Sequence, residues 1–239
     1  MSGHSKWATI HRKKGLIDAE RGKLFQKLAK EIMVAAKGTD GNIENNAALR
    51  MVVEKCRSQN MPKDNIQKAI DKATGAGNTV NFESIRYEGY GPSGIAVMVD
   101  CLTDNKNRTA GMVRSSFTKH GGNLGTDGSV SYMFNKKGYI VIEKTIDEDN
   151  VMMTALDAGA DDVITSDEAF EIHTSPDMFL NVKSSLEELG AIFLSSEVTY
   201  IANNDVEVDE ETKEKFYKLI DALEDIDDVQ EIYHNLSEQ

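Results

Sequence analysis

GYIVIEKTIDEDNVMMTALDAGADDVITSDEAFEIHTSPDMFLNVKSSLEELGAIFLSSEVTYI, residues 138–201, switches repeatedly between the two hydrophobic periods of folded chains. Tyr139 to Glu143 reads as a strand, Asn150 to Ala158 as a helix, and Asp162 to Thr165 and Ala169 to His173 as two more strands. Asp177 to Leu189 carries Phe179, Val182, Leu186 and Leu189 at helical spacing, and Ile192 to Ile201 closes the stretch as a strand. Strand, helix, strand, strand, helix, strand is the order of the split βαβ unit, so residues 136–201 are expected to form a ferredoxin-like βαββαβ domain.

The flanks of this block are each incomplete. Before it, Gly91-Pro92-Ser93-Gly94 leads into the apolar run Ile95 to Val99, a strand entered through a tight turn, and Asn105 to His120 follows as a helix with Ala110, Val113 and Phe117 inward. Ser129 to Phe134 reads as a further strand, separated from Tyr139 by a turn at Lys136-Lys137-Gly138. After the block come one helix, Glu210 to Leu223, and one strand near Val229 to Tyr233. Neither flank has a core of its own. Residues 81–135 and 202–239 are therefore expected to combine into one discontinuous α/β middle domain, with a continuous run of independent lobes as the alternative.

Residues 1–80 read as a separate helical bundle. Leu24, Leu28, Ile32 and Ala35 recur at spacings of three and four; Ala48, Leu49, Val52, Val53 and Cys56 form a second stripe. Pro62 suits the start of a third helix, on which Ile66, Ala69, Ile70 and Ala73 line one face. The fold class is thus α+β and multidomain, with an N-terminal three-helix bundle ahead of the middle and inserted domains.

Charge divides along the same boundary. Of the 27 Lys and Arg, 15 lie in residues 1–80 against 8 Asp and Glu, which leaves 12 against 32 in the remainder. A net charge of −13 is thus the sum of about +7 and −20, and a field of one sign gathered at one end attracts a partner of the other. A nucleic acid is the most economical polyanion, with Lys6, Arg12, Lys13, Lys14, Arg21, Lys23, Lys27 and Lys30 as its phosphate contacts. Trp7 among these cations could stack on a base, although packing of the ring in the bundle is the simpler reading.

Other chemistry finds little support. No apolar run approaches the length of a membrane span, and the cationic start is followed by no apolar segment of a secretory signal, so the expected compartment is the cytoplasm. Cys56 and Cys101 stand alone in helix and strand patterns, as buried small hydrophobes do. His4, His11, His120, His173 and His234 are scattered, with no zinc-type spacing. The glycine-rich Gly91–Gly94 and Gly121–Gly125 stretches lack the ending of a phosphate loop and read as turns. Asp221, Glu224, Asp225, Asp227 and Asp228 read as a solvated helix end rather than a metal site, since no EF-hand spacing accompanies them. No catalytic residue, metal or cofactor is assigned. Asn105, Arg108 and Arg114 form a partly cationic helix start after a strand, which fits a secondary phosphate contact and equally an ordinary helix cap.

Met1-Ser-Gly-His-Ser-Lys-Trp7, Arg21-Gly-Lys23, Tyr87-Glu-Gly-Tyr-Gly-Pro92 with Gly94, Thr103-Asp-Asn105, Asn107-Arg-Thr109, Val113-Arg114, Gly121-Gly122 and Gly128-Ser-Val130 together resemble the YebC family over essentially the whole chain. That family includes bacterial proteins called probable transcriptional regulators and a mitochondrial translational activator. The resemblance implies three domains around an open cleft and a non-enzymatic role in gene expression. It implies either a DNA-binding regulator of transcription or a ribosome-binding factor that helps translation through stretches such as consecutive prolines. The partner would be promoter DNA or ribosomal RNA, with a basic protein as a further partner for the acidic domains. No helix offers the Arg, Asn and Gln reading face of a helix-turn-helix, so selective base readout is only weakly supported.

Overall fold

The computed structural model describes residues 19–75 and 81–237. Two compact units emerge: one ends its first stretch at Val130 and resumes over Asp209–Ile232, and the other contains Ser131–Val208 and the chain from Tyr233. Among the described residues there are seven α-helices and two four-stranded sheets, an α+β fold.

The first unit opens with helices α1 (Ala19–Ala36), α2 (Ala47–Ser58) and α3 (Lys63–Thr74). Their starts follow local chemistry. Asn46 accepts the Leu49 amide at 3.0 Å to cap α2, and Pro62 stands immediately before α3. Leu28, Ile32, Leu49, Val53, Cys56, Ile66 and Ile70 form the buried centre, with Phe82 packed against it. Strands β1 (Glu83–Tyr90) and β2 (Ala96–Thr103) then pair antiparallel from Glu83 opposite Thr103 to Tyr90 opposite Ala96. Helix α4 (Lys106–Lys119) buries Val113 and Phe117, and the short β3 (Asn123–Leu124) pairs with the end of β1.

The second unit consists of β4 (Phe134–Glu143), α5 (Glu148–Asp157), β5 (Ala160–Thr165), β6 (Ala169–Thr174), α6 (Phe179–Glu188) and β7 (Phe193–Ala202). Its sheet order is β5-β6-β4-β7, with every pair antiparallel, which is the ferredoxin-like arrangement of a βαββαβ chain. Val151, Ala155, Val182 and Leu186 of the two helices meet Ile140, Ile142, Phe170 and Ile172 of the sheet.

The expected turn at Lys136-Lys137-Gly138 is absent: β4 runs through it. Residues 134–137 pair only with β7, Lys136 opposite Tyr200 and Lys137 opposite Thr199, whereas pairing with β6 starts at Gly138 opposite Thr174. The lysines therefore sit on a strand extension with one neighbour, where Lys136 is exposed and the half-buried Lys137 pairs with Asp161 at 3.4 Å. Gly138 is required for space rather than for turning: a Cβ there would collide with Thr174 Oγ1 and lie 2.9 Å from the Phe179 side chain. Gly138→Ala is expected to cost about 1–3 kcal/mol, although alanine is ordinarily the better strand residue. A lowered urea midpoint at unchanged slope would register it. The strand expected over Ser129 to Phe134 is likewise corrected, since Ser131–Met133 is a single 3₁₀ turn before β4.

The chain then returns to the first unit through α7 (Glu210–Glu224) and β8 (Val229–His234). The β8 strand completes the sheet order β3-β1-β2-β8, and Phe216, Leu219, Ile220 and Leu223 are the buried face of α7.

Candidate nucleic-acid interface

Lys6, Trp7, Arg12, Lys13 and Lys14 lie outside the described residues. The described part of the basic end begins with α1, where Arg21 is exposed in the first turns. Lys23, Lys27 and Lys30 follow at spacings of four and three, which places them on one helix face.

That face meets the acidic corner between α7 and β8. Lys23 Nζ pairs with Asp225 Oδ1 at 2.6 Å, and Lys27 Nζ donates to the Glu224 carbonyl at 3.4 Å. Lys30 Nζ donates to the Asp227 carbonyl at 2.7 Å and to Asp228 Oδ1 at 2.9 Å. Lys55 of α2 bonds Glu31 at 2.9 Å and reaches Glu231 at 3.7 Å. The corner has a reason to attract cations. Helix α7 begins with Glu210 and Glu211 and has no basic residue in its own last turn. Its terminal carbonyls carry partial negative charge without a local counter-ion, and lysines of α1 supply one.

The contacts differ in weight. Lys23 and Asp225 keep 51% and 71% of their side-chain exposure, so this surface pair contributes about 0–1 kcal/mol. Lys30 and Asp228 keep 18% and 6%, and Asp228 is the hub of a network. Its Oδ2 accepts from Arg108 Nη2 at 2.6 Å, Thr109 Oγ1 at 2.8 Å and Thr103 Oγ1 at 3.1 Å. Burial by itself would push the Asp228 carboxyl up, but hydrogen bonds from Arg108, Lys30 and Thr109 outweigh it and hold the group well below the usual carboxylate range. The solvated helix end expected over Asp221 to Asp228 is thus corrected at its last residue. Asp227 and Asp228 both lie between buried Ile226 and Val229, yet Asp227 is exposed and Asp228 is buried, so no local pattern marks the acid that turns inward.

The secondary positions are drawn into the same network. Asn105 Oδ1 accepts the Arg108 amide at 3.0 Å and caps α4. The Arg108 guanidinium bridges Asp104 at 2.8 Å and Asp228 at 2.6 Å. Only Arg114 of this trio has its side chain exposed without a contact described above.

The distinctive motifs turn out to bond one another. Glu88, buried between Tyr87 and Gly89, accepts the backbone amides of Gly128 at 3.0 Å and Val130 at 2.8 Å. Tyr90 Oη donates to the Ser129 carbonyl at 2.9 Å. A Cβ on Gly122 would stand 2.6 Å from the Tyr90 carbonyl oxygen, so the Gly121-Gly122 pair permits a close backbone approach rather than cradling a phosphate. Tyr87 to Pro92, Gly121-Gly122 and Gly128 to Val130 are therefore one packed corner.

Both cysteine thiols are held protonated by burial. Burial pushes the Cys56 thiol up to about 11, with Glu31 adding to it, and the Cys101 thiol up to about 12, with Asp228 and Asp100 adding to it. Both are poor nucleophiles at neutral pH. No group of three or more metal-ligating side chains occurs among the described residues, and none of their helices is long and apolar enough to cross a membrane. His173 lies beside Tyr139, with ring centroids 5.4 Å apart and the planes tilted by 49°, and Tyr139 Oη donates to Glu171 at 2.7 Å. Burial pulls the His173 imidazole down to about 4, helped by the charge of Lys137. These residues form a buried polar layer on β4 and β6.

Comparison with known proteins gives two family matches. Residues 5–76 match the model described as the TACO1/YebC protein N-terminal domain, and residues 82–236 match the TACO1/YebC second and third domain. A "probable transcriptional regulatory protein" of Geobacillus kaustophilus is 54% identical, over 100% of this chain and 98% of its own. One from Bacillus licheniformis is 56% identical over 99% and 100%. Among solved structures, a conserved hypothetical protein of Aquifex aeolicus is 45% identical with a TM-score of 0.79, covering 92% of this chain and 91% of that one.

Proposed function

Because the chain belongs to the TACO1/YebC family, we propose that it is a non-enzymatic nucleic-acid-binding regulator of gene expression, acting on DNA in transcription. The observation that carries this reading is the charge division, 15 cations against 8 acids in residues 1–80 of a chain whose net charge is −13. The relatives' names as transcriptional regulators support it.

In this reading Lys6, Arg12, Lys13, Lys14 and Arg21 contact phosphates, and Lys23, Lys27 and Lys30 extend the row along α1. Trp7 and Arg114 are secondary contacts. Three functional parts are assigned, residues 1–80 to hold the polyanion, 81–135 with 202–239 as the frame, and 136–201 as an acidic module. The cytoplasm is the assigned compartment. Asn105 and Arg108 serve the reading indirectly, through the cap of α4 and the Asp228 network.

Crosslinking in cells, followed by sequencing of both DNA and RNA recovered with the protein, tests this proposal. Discrete genomic peaks are the expected result. Recovery of ribosomal RNA without genomic peaks would replace the transcriptional reading with a ribosomal one.

A further inference from the structure

We propose that Asp225, at the corner it shares with the exposed Asp227, is a built-in competitor for nucleic-acid phosphates on α1, an intramolecular stand-in for the polyanion that Lys23 releases when the nucleic acid binds. The inference rests on the nucleic-acid reading above and adds the regulation of that same surface.

Lys23, Lys27 and Lys30 form a row on one face of α1, and each meets an anionic or carbonyl oxygen of the α7–β8 corner. Lys23 and Lys30 are therefore already paired with carboxylates in the free protein. A phosphate can displace a carboxylate only where the existing contact is weak, and exposure sorts the three lysines. Lys23 and Asp225 are both solvated, and a flexible lysine stem can swing from one oxygen to another at little cost. Lys30 is different, because its partner Asp228 is buried and shared with Arg108, Thr103 and Thr109. Lys30 fastens α1 to the frame, while the solvated Lys23 is exchangeable. Asp225 and Asp227, both exposed, then repel any phosphate that approaches the row without displacing them.

The test uses the full-length protein with Asp225→Asn and Asp227→Asn combined, and a control variant, Glu187→Gln with Glu188→Gln, which removes two charges from exposed positions on α6 of the other unit. Affinity for a 25-base-pair duplex and for an RNA of equal length is measured between 50 and 200 mM salt. The corner variant should bind about three- to tenfold more tightly than wild type at the low-salt end, with the slope of log affinity against log salt steeper by about one for each lysine freed. The control should change less than twofold, and adding Lys23→Gln to the corner variant should remove most of the gain. A corner variant no tighter than the control overturns the competitor while leaving wild-type binding intact. Absence of binding by every protein, wild type included, overturns the nucleic-acid reading and the competitor with it.

Discussion

Asp228→Ala is expected to destabilise the first unit by about 3 kcal/mol. The carboxylate is nearly buried and satisfies two cations and two hydroxyls at once, Lys30 from α1, Arg108 from α4, Thr103 from β2 and Thr109 from α4. Removing it leaves the buried Thr103 and Thr109 hydroxyls with fewer acceptors and Lys30 with only the Asp227 carbonyl. Asp228→Asn retains the shape and one acceptor oxygen, so a smaller loss of about 1–2 kcal/mol is expected. Urea unfolding of the two variants separates these values. Equal losses would show that the site needs the charge rather than the shape.

The same residue sets a pH dependence. Its folded pKa is depressed, so its contribution is present above the unfolded carboxylate value of about 3.9 and is lost as pH falls below it towards the folded value. Wild type should therefore lose stability more steeply than Asp228→Ala as pH falls below about 4. Parallel curves for the two proteins would contradict the assignment.

How far the sequence disclosed these features depends on the kind of signal each residue carries. The three N-terminal helices were legible because Leu28, Ile32, Leu49, Val53, Ile66 and Ile70 are both apolar and periodic, and burial followed the period. The ferredoxin-like order was legible for the same reason, since Tyr139 to Ile142 of β4 are apolar, Phe170 and Ile172 of β6 alternate with polar residues, and the helices between are amphipathic. Strand β1 was not. Its residues facing inward include Glu88, buried by bonds to the Gly128 and Val130 amides instead of by hydrophobicity, and no local pattern announces partners forty positions away. Asp228 failed in the same way: the acids at 221–228 look alike in sequence, and only the fold brings Arg108, 120 positions earlier, to one of them. Lys-Lys-Gly at 136–138 misled for the opposite reason, because its turn-like composition reflects a solvated strand extension and a steric demand at Gly138. For the candidate interface, sequence composition located the cations but could not say which ones the chain itself engages.

That distinction fixes how steeply binding should depend on salt. If Lys6, Arg12, Lys13, Lys14, Arg21 and Lys23 each engage a phosphate, affinity for duplex DNA should fall roughly a thousandfold between 50 and 200 mM salt, because each contact releases a condensed counter-ion and contributes about 0.9 to the slope. Lys30 is left out of that count, since its bond to buried Asp228 would have to break first, and a slope near 7 would mean that it and Lys27 are used as well. Arg12→Ala, Lys13→Ala and Lys14→Ala together should lower the slope by about 2.7 on a duplex and by about 2 on a single strand. The two values separate a duplex from a single-stranded target on the same protein, independent of absolute affinity. A flat salt response would remove the basic end from the interface altogether, since no arrangement of six phosphate contacts can be made without displacing the ions that surround the polyanion.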